Sequence, residues 1–320
     1  MLKTLLASLG CAALLLSTPA AAQYPERPIK LVLPLPAGSA TDTVARVVAR
    51  AMETSLGQPI IIENRAGADG AIAALAVARS EPDGYTLLFA TNSPMSAVPA
   101  MKLQPGYDPA TDFSPISLVG RYSSFLWVHP DVPIRSLQEM VAYARANPGK
   151  LSYATGNTGG QVAMLQLLAL AGKPTLVHVP YRGEPAAIVD VVSGRIPLMF
   201  ATPTTAGSFA REGKLRPLVT TLPQRSPAFP EVPTVQEAGL PGFSITLWAG
   251  MFGPAKLPAA IVQRLNAAVQ HAIRQPQVRE ILEAQQFFAE GSTVDELQRF
   301  TVEQLSAYRN ALRDAGVEPN

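Results

Sequence analysis

An α/β protein of two lobes that share a ligand cleft is the fold class this sequence predicts, and three observations predict it. First, Ile29, Leu31, Val32, Leu33 and Leu35 form an apolar run of strand type, and from Thr41 the pattern changes to Val44, Val47, Val48 and Ala51 at helical spacing. Between them lie Pro36, Ala37, Gly38, Ser39 and Ala40, small residues that let a ligand approach the backbone. Second, strand and helix patterns go on alternating down the chain, which implies parallel βαβ units. Third, the strand, Gly-rich loop and helix unit recurs far downstream, at residues 150–154, 155–160 and 162–171. Two such units predict two lobes, each aiming one loop at the shared cleft.

In chain order, Met1 to Ala22 reads as a secretory signal: Lys3, an almost uncharged run through Leu16, then Ala20, Ala21 and Ala22 as a small-residue cleavage site. Cleavage is expected after Ala22 and export to the periplasm with it. The single cysteine, Cys11, falls inside this segment, so the mature chain is expected to have no disulfide, no cysteine zinc site and no thiol nucleophile. With 26 Lys and Arg against 24 Asp and Glu there is no basic field for nucleic acid. Charged residues make up 16% and hydrophobic ones 48%, a globular composition.

In the first unit, Thr41 or Asp42 is placed to cap the helix, and the free N–H groups at such a start, with the helix dipole behind them, suit an anionic group. Residues 59–63 predict a second strand, 71–78 a helix of small residues, and 85–90 a third strand. That strand ends in Thr91, Asn92 and Ser93, at the same carboxyl edge as Gly38, where open α/β sheets bind ligands. Strands follow at 116–119 and 125–128 and a helix at 137–146. In the second unit Thr155, Gly156, Asn157 and Thr158 stand where the first has its Gly38 loop. Residues 175–179, 186–192, 198–200, 205–211 and 215–221 continue the alternation. The last third, 258–273, 278–284 and 294–314, predicts helices that pack back on the first lobe.

Several chemistries lack their motifs. Pro36-Ala37-Gly38-Ser39-Ala40-Thr41-Asp42 does not have the G-x-G-x-x-G spacing, neither loop ends in Gly-Lys-Ser/Thr, and there is no G-x-S-x-G nucleophile elbow. His129, His178 and His271 show no ligand spacing, so neither a metal nor another cofactor is expected. Glu63-Asn64-Arg65 ends a strand and reads as a local tie. Tyr181 leaves a strand beside the expected cleft, and two readings stand side by side: a hydroxyl that reaches a ligand, or a core tyrosine. Trp248 reads as packing between the lobes.

Motifs spread over the mature chain resemble one family. They are Tyr24-Pro25, Arg27-Pro28-Ile29, Pro34 through Asp42, Leu56-Gly57-Gln58-Pro59, Glu63-Asn64-Arg65, Pro82-Asp83-Gly84-Tyr85-Thr86, Tyr107-Asp108-Pro109, His178-Val179-Pro180-Tyr181, Gly183, Arg225-Ser226-Pro227 and Val232-Pro233-Thr234. In order and spacing they are similar to the Bug-type substrate-binding proteins of tripartite tricarboxylate transporters.

The resemblance implies a type II periplasmic binding protein fold, no catalysis, and a small carboxylate, aliphatic or aromatic, delivered to membrane permease subunits by a monomer. It implies lobes at 23–121 with 222–320 and at 122–221. It implies a site of Ala37, Gly38, Ser39, Thr41, Asp42, Asn92, Ser93, Thr155, Gly156, Asn157, Thr158, Tyr181, Ala201 and Thr202. Departures from the family pattern bear on the ligand: Ser39 for Gly, Met95 and Val98 for His and Asn, Gln161 and Leu165 for His and Glu, and Ala201 where many relatives carry Asp. Polar residues lost to apolar ones lean the ligand toward a less polar, aromatic carboxylate. A sensory protein of the same fold acting with a receptor kinase is the alternative, and an exported hydrolase a more distant one.

Overall fold

The computed structural model describes residues 24–181 and 183–319; the expected signal segment, 1–22, lies outside the described residues. Eleven strands occur among them: β1 (Ile29–Leu33), β2 (Ile60–Asn64), β3 (Thr86–Thr91), β4 (Phe113–Tyr122), β5 (Phe125–Val128), β6 (Ser152–Thr155), β7 (Val177–Pro180), β8 (Leu198–Ala201), β9 (Arg216–Thr220), β10 (Leu247–Pro254) and β11 (Phe287–Ala289). The helices are α1 (Ala40–Leu56), α2 (Ala71–Ala78), α3 (Val98–Met101), α4 (Leu137–Ala146), α5 (Thr158–Leu170), α6 (Glu184–Val192), α7 (Pro203–Arg211), α8 (Ala259–Arg274), α9 (Pro276–Ala284) and α10 (Val294–Asp314).

The strands form two sheets, in the orders β11-β4-β10-β3-β1-β2 and β7-β6-β8-β5-β9. In the first, β1 runs parallel to β2 and β3. In the second, β6 runs parallel to β7 and β8. These are the strands that feed the two Gly-rich loops, so each loop opens from the carboxyl edge of a parallel set. Elsewhere the sheets are antiparallel, because β10 lies between β3 and β4, and β5 between β8 and β9. Strand β10 has no counterpart among the sequence expectations. From Trp248 to Pro254 it is buried without a break, so it reads as a continuous apolar run rather than an alternation.

Apolar helix faces cover both sides of each sheet. In the first lobe Val44, Val48 and Met52 of α1 pack with Leu31, Phe89 and Leu265, and Val32, Leu88, Trp248 and Phe252 form the core on the opposite face. In the second, Leu126, Val162, Leu167 and Phe200 share one cluster, and Phe125, Trp127, Ile188 and Met199 another.

The expectation that the last helices return to the first lobe holds for α8 and α9 but needs correcting for α10. Its Leu297 joins Trp248, whereas Leu305, Tyr308, Ala311 and Leu312 lie in the second lobe's cluster. Buried positions along this 21-residue helix match both lobes, so it straddles them. Val235, Ala238, Phe243 and Ile245 also join that cluster, so the packing of the second lobe runs past residue 221.

The chain crosses between the sheets at Ser123 and Ser124, which join β4 to β5, and again between β9 and β10. The crossings lie side by side: Thr221 N–H and Thr220 Oγ1 donate to the Ser124 carbonyl at 2.9 and 3.1 Å.

Candidate functional site

At the carboxyl end of β1, Gly38 takes a φ of +81°, a conformation suited to glycine, and the chain then enters α1. The capping residue is Ser39, two or three positions earlier than expected; its Oγ accepts from Asp42 N–H at 3.2 Å. Asp42 is instead the knot of the loop. Its carboxylate accepts from Gly38 N–H at 3.0 Å, from Asn64 Nδ2 at 2.9 Å, and from Arg46 Nε and a terminal guanidinium nitrogen at 2.9 and 3.0 Å. Burial opposes its charge, but the hydrogen bonds from Arg46, Gly38 and Asn64 win and hold its pKa at about 2. The Gly38 N–H is therefore already engaged. The N–H groups of Ala40 and Thr41, in the first turn, have no intrahelical acceptor. Ala37 and Gly38 are exposed and Ser39 half-buried, while Thr41 is buried with its Oγ1 3.0 Å from the Tyr122 hydroxyl.

The second loop repeats this plan with other residues. Asn157 caps α5, accepting from Gly160 N–H at 2.8 Å, which leaves the N–H groups of Thr158 and Gly159 open. Gly156 is packed so tightly that a Cβ there would lie 2.2 Å from the Glu184 nitrogen. Thr155 is buried, its Oγ1 2.7 Å from His178 Nε2, and burial lowers the His178 pKa.

The two helix starts are linked through shared neighbours. Thr41 is bonded to Tyr122, Tyr122 pairs with Leu247 across the sheet, and a Cβ on Gly159 would lie 2.5 Å from Leu247 Cδ2 and 2.7 Å from Asn92 Nδ2. Asn92, at the end of β3, is buried and donates to the Tyr308 hydroxyl of α10 at 3.0 Å, and the half-buried Ser93 follows it. A second contact joins the lobes where Thr204 Oγ1 donates to the Gln285 carbonyl at 3.3 Å. Two positive helix ends, one per lobe, thus border a shared set of neighbours beside the crossings. That arrangement suits a carboxylate held by backbone N–H groups.

Two expected site residues are placed elsewhere. Ala201 is fully buried: the alternation of β8 turns its side chain, like that of Met199, into the cluster of Phe125, Trp127 and Ile188, and only its carbonyl is used, by Trp127 Nε1 at 2.9 Å. Tyr181 is half-buried: its ring packs against the same cluster and its hydroxyl donates to Asp190 Oδ2 at 2.6 Å, so that hydroxyl is engaged within the protein. Met95, one of the departures from the family pattern, is likewise fully buried, in the first lobe's core. Arg65 is paired with Glu63, as its strand-end position suggests, while Asn64 serves Asp42.

One residue that sequence reasoning missed is Glu184, the first residue of α6. Its carboxylate accepts from Asn157 Nδ2 at 3.0 Å, from Thr202 N–H at 3.1 Å and from the hydroxyls of Thr202 and Thr205, each at 2.9 Å. An acidic residue straight after Gly183, at a helix start, was the available signal. Among the described residues no group of His, Cys, Asp and Glu could hold a metal ion, and no helix is long and apolar enough to cross a membrane.

Comparison with known proteins places the chain in a family. Residues 44–317 match the model of the tripartite tricarboxylate transporter family receptor. The chain is 33% identical over 298 residues to the protein BugT of Bordetella pertussis, covering 92% of this chain and 91% of that one. Among solved structures it is similar to an R. palustris protein solved with adipate, at a TM-score of 0.81 and 29% identity, covering 93% of this chain and all of the other. It is similar also to the periplasmic binding protein BugD, at a TM-score of 0.78 and 31% identity over 93% of this chain and all of the other. The chain therefore belongs to the tripartite tricarboxylate transporter receptor family, the Bug-type solute-binding proteins, and has their two-lobed α/β fold.

Proposed function

We propose that this solute-binding protein is exported, captures a small carboxylate between the starts of α1 and α5, and delivers it as a monomer to the permease subunits of a tripartite tricarboxylate transporter. The observation that carries the reading is that Tyr122, Leu247 and Asn92 link the starts of the two helices. The open N–H groups of Ala40 and Thr41 on one side and of Thr158 and Gly159 on the other grip the carboxylate oxygens, with Ser93 and the Ala37–Ser39 loop as walls. No cation is needed for this grip: Arg46, at the first loop, is already paired with Asp42. The receptor family and the adipate in one neighbour support both the carboxylate and the permease.

Because the site takes groups from both lobes, ligand favours the closed form, with hinge movement at Ser123, Ser124 and the stretch from 221 to 246. Native mass spectrometry of the purified protein identifies a carried-over carboxylate, and calorimetry with that compound, followed by X-ray scattering, is expected to give one site per chain and compaction on saturation. Absence of binding to any carboxylate in a broad panel would overturn the reading, and binding without compaction would overturn the hinge.

A further inference from the structure

Glu184 has an unusual setting for a carboxylate beside an anion site. Asn157 Nδ2 and Thr202 N–H can only donate, and they engage different oxygens, Oε1 and Oε2 respectively. The hydroxyls of Thr202 and Thr205 both add to Oε2. A carboxylate, with lone pairs on both oxygens, matches these donors. Among the described residues no Lys, Arg or His forms an ion pair with it, whereas the carboxylate of the opposite loop, Asp42, is neutralised by Arg46. All its donors are neutral, and the dipoles of α6 and α7 do the rest: Glu184 opens α6, while Thr202 and Thr205 open α7. Thr202, the capping residue of α7, makes no cap hydrogen bond of its own because its hydroxyl is given to Glu184. The start of α7, a third helix end at this edge of the sheet, is therefore already filled by an anion that belongs to the protein.

We propose that Glu184 sets the class of ligand: the site takes carboxylates whose remaining part is neutral or carries a hydroxyl or ammonium donor, and it rejects a second carboxylate. This rests on the carboxylate-capture reading above. One ligand carboxylate fits between α1 and α5, where N–H groups are open. A second has no open helix start on the second-lobe wall and meets there a carboxylate that no Lys, Arg or His among the described residues pairs, one hydrogen bond away from Asn157. A hydroxyl or ammonium at the same place finds an acceptor.

The test uses the mature protein and matched pairs of equal chain length, butyrate with succinate and hexanoate with adipate, titrated by calorimetry. The wild type is expected to bind the monocarboxylate of each pair at least about ten-fold more tightly, equivalent to about 1.4 kcal/mol. Glu184→Gln, which keeps the shape and one acceptor, is expected to erase most of that ratio, and thermal unfolding without ligand reports whether the variant is folded. Should the variant not fold, the wild type alone decides, because a preference caused by charge shrinks as salt rises from low to physiological ionic strength. A wild type that prefers the dicarboxylates, or a ratio unmoved by both the substitution and salt, overturns the role of Glu184 and leaves carboxylate capture standing. A wild type that binds neither member of either pair, nor any other carboxylate, overturns both.

Discussion

At the start of α1, Asp42 gathers Gly38, Asn64 and Arg46, so its charge is balanced by a guanidinium four residues along the same helix; at the start of α5, Asn157 leans on Glu184, whose four donors are all neutral. The first knot is local to its lobe and leaves open space around Gly38, where an added Cβ would meet nothing within 4 Å. The second ties together the starts of α5, α6 and α7, and it crowds Gly156 against Glu184 and Gly159 against Leu247 and Asn92. One sequence pattern, strand to small residues to helix, thus gives a self-sufficient loop in one lobe and, in the other, a loop whose shape depends on neighbours distant in sequence. Changes on the second-lobe side should cost more, and the difference can be measured.

The largest effect is expected for Ala201→Asp. Position 201 is fully buried among Phe125, Trp127 and Met199, so the new carboxylate would be stripped of water with no donor arranged for it. A loss on the order of 3–5 kcal/mol in unfolding free energy follows, read by urea denaturation. A stable variant with an altered ligand profile would instead put residue 201 on the cleft wall.

Asp42→Asn is next and probes the first-lobe knot. The folded pKa of about 2 lies below the ordinary carboxylate value near 4, so the charged form contributes stability that is complete above about pH 4 and is lost as pH falls toward 2. The substitution should cost on the order of 2 kcal/mol at neutral pH and little at pH 2. Denaturation curves that run parallel for wild type and variant across that range would mean the knot carries no charge-dependent stability.

How far the sequence reaches follows the same division. The β1 to α1 unit is legible because Ser39, Asp42 and Arg46 lie within eight residues of Gly38 and only Asn64 comes from further along the chain, and the cap was misplaced by two or three positions. The strand and helix alternation gave most of both sheets, and the Gly-rich loops marked the edge that faces the cleft. Glu184 was not legible because its meaning lies in Asn157, Thr202 and Thr205, which only the fold brings together. Ala201 was misread for a related reason: a strand end borders the cleft, but the alternation of β8 decides which side chains face it. Strand β10 escaped because continuous burial removes the period-two signal.

Gly159→Ala probes the contact between the lobes on the second-lobe side. Alanine favours the helix, but its Cβ would meet Leu247 Cδ2, the end of a side chain that can yield, and Asn92 Nδ2, which must shift against its bond to Tyr308, so stability should fall by about 1–2 kcal/mol. Those atoms belong to the other lobe, and holding them away opens the gap that the ligand must bridge. Affinity for the carried-over carboxylate is expected to fall about ten-fold, or 1.4 kcal/mol. Unchanged affinity by calorimetry would show that the lobes close elsewhere.

The smallest stability effect belongs to Gly38, and it is the sharpest test of the comparison. A φ of +81° costs any other residue roughly 1 kcal/mol, while the empty surroundings add no clash. Alanine and leucine at this position should therefore destabilise the free protein about equally, since Gly38 is exposed, an added Cβ meets nothing within 4 Å, and the N–H of residue 38 can go on serving Asp42. Ligand breaks the equality. If the carboxylate stands in front of the first turn of α1, leucine intrudes on it and alanine barely does, so Gly38→Leu loses about ten-fold or more in affinity while Gly38→Ala stays within a few-fold. Equal affinities for the two variants would mean that the space beside Gly38 is solvent, and the first-lobe contribution would then be confined to the N–H groups of Ala40 and Thr41.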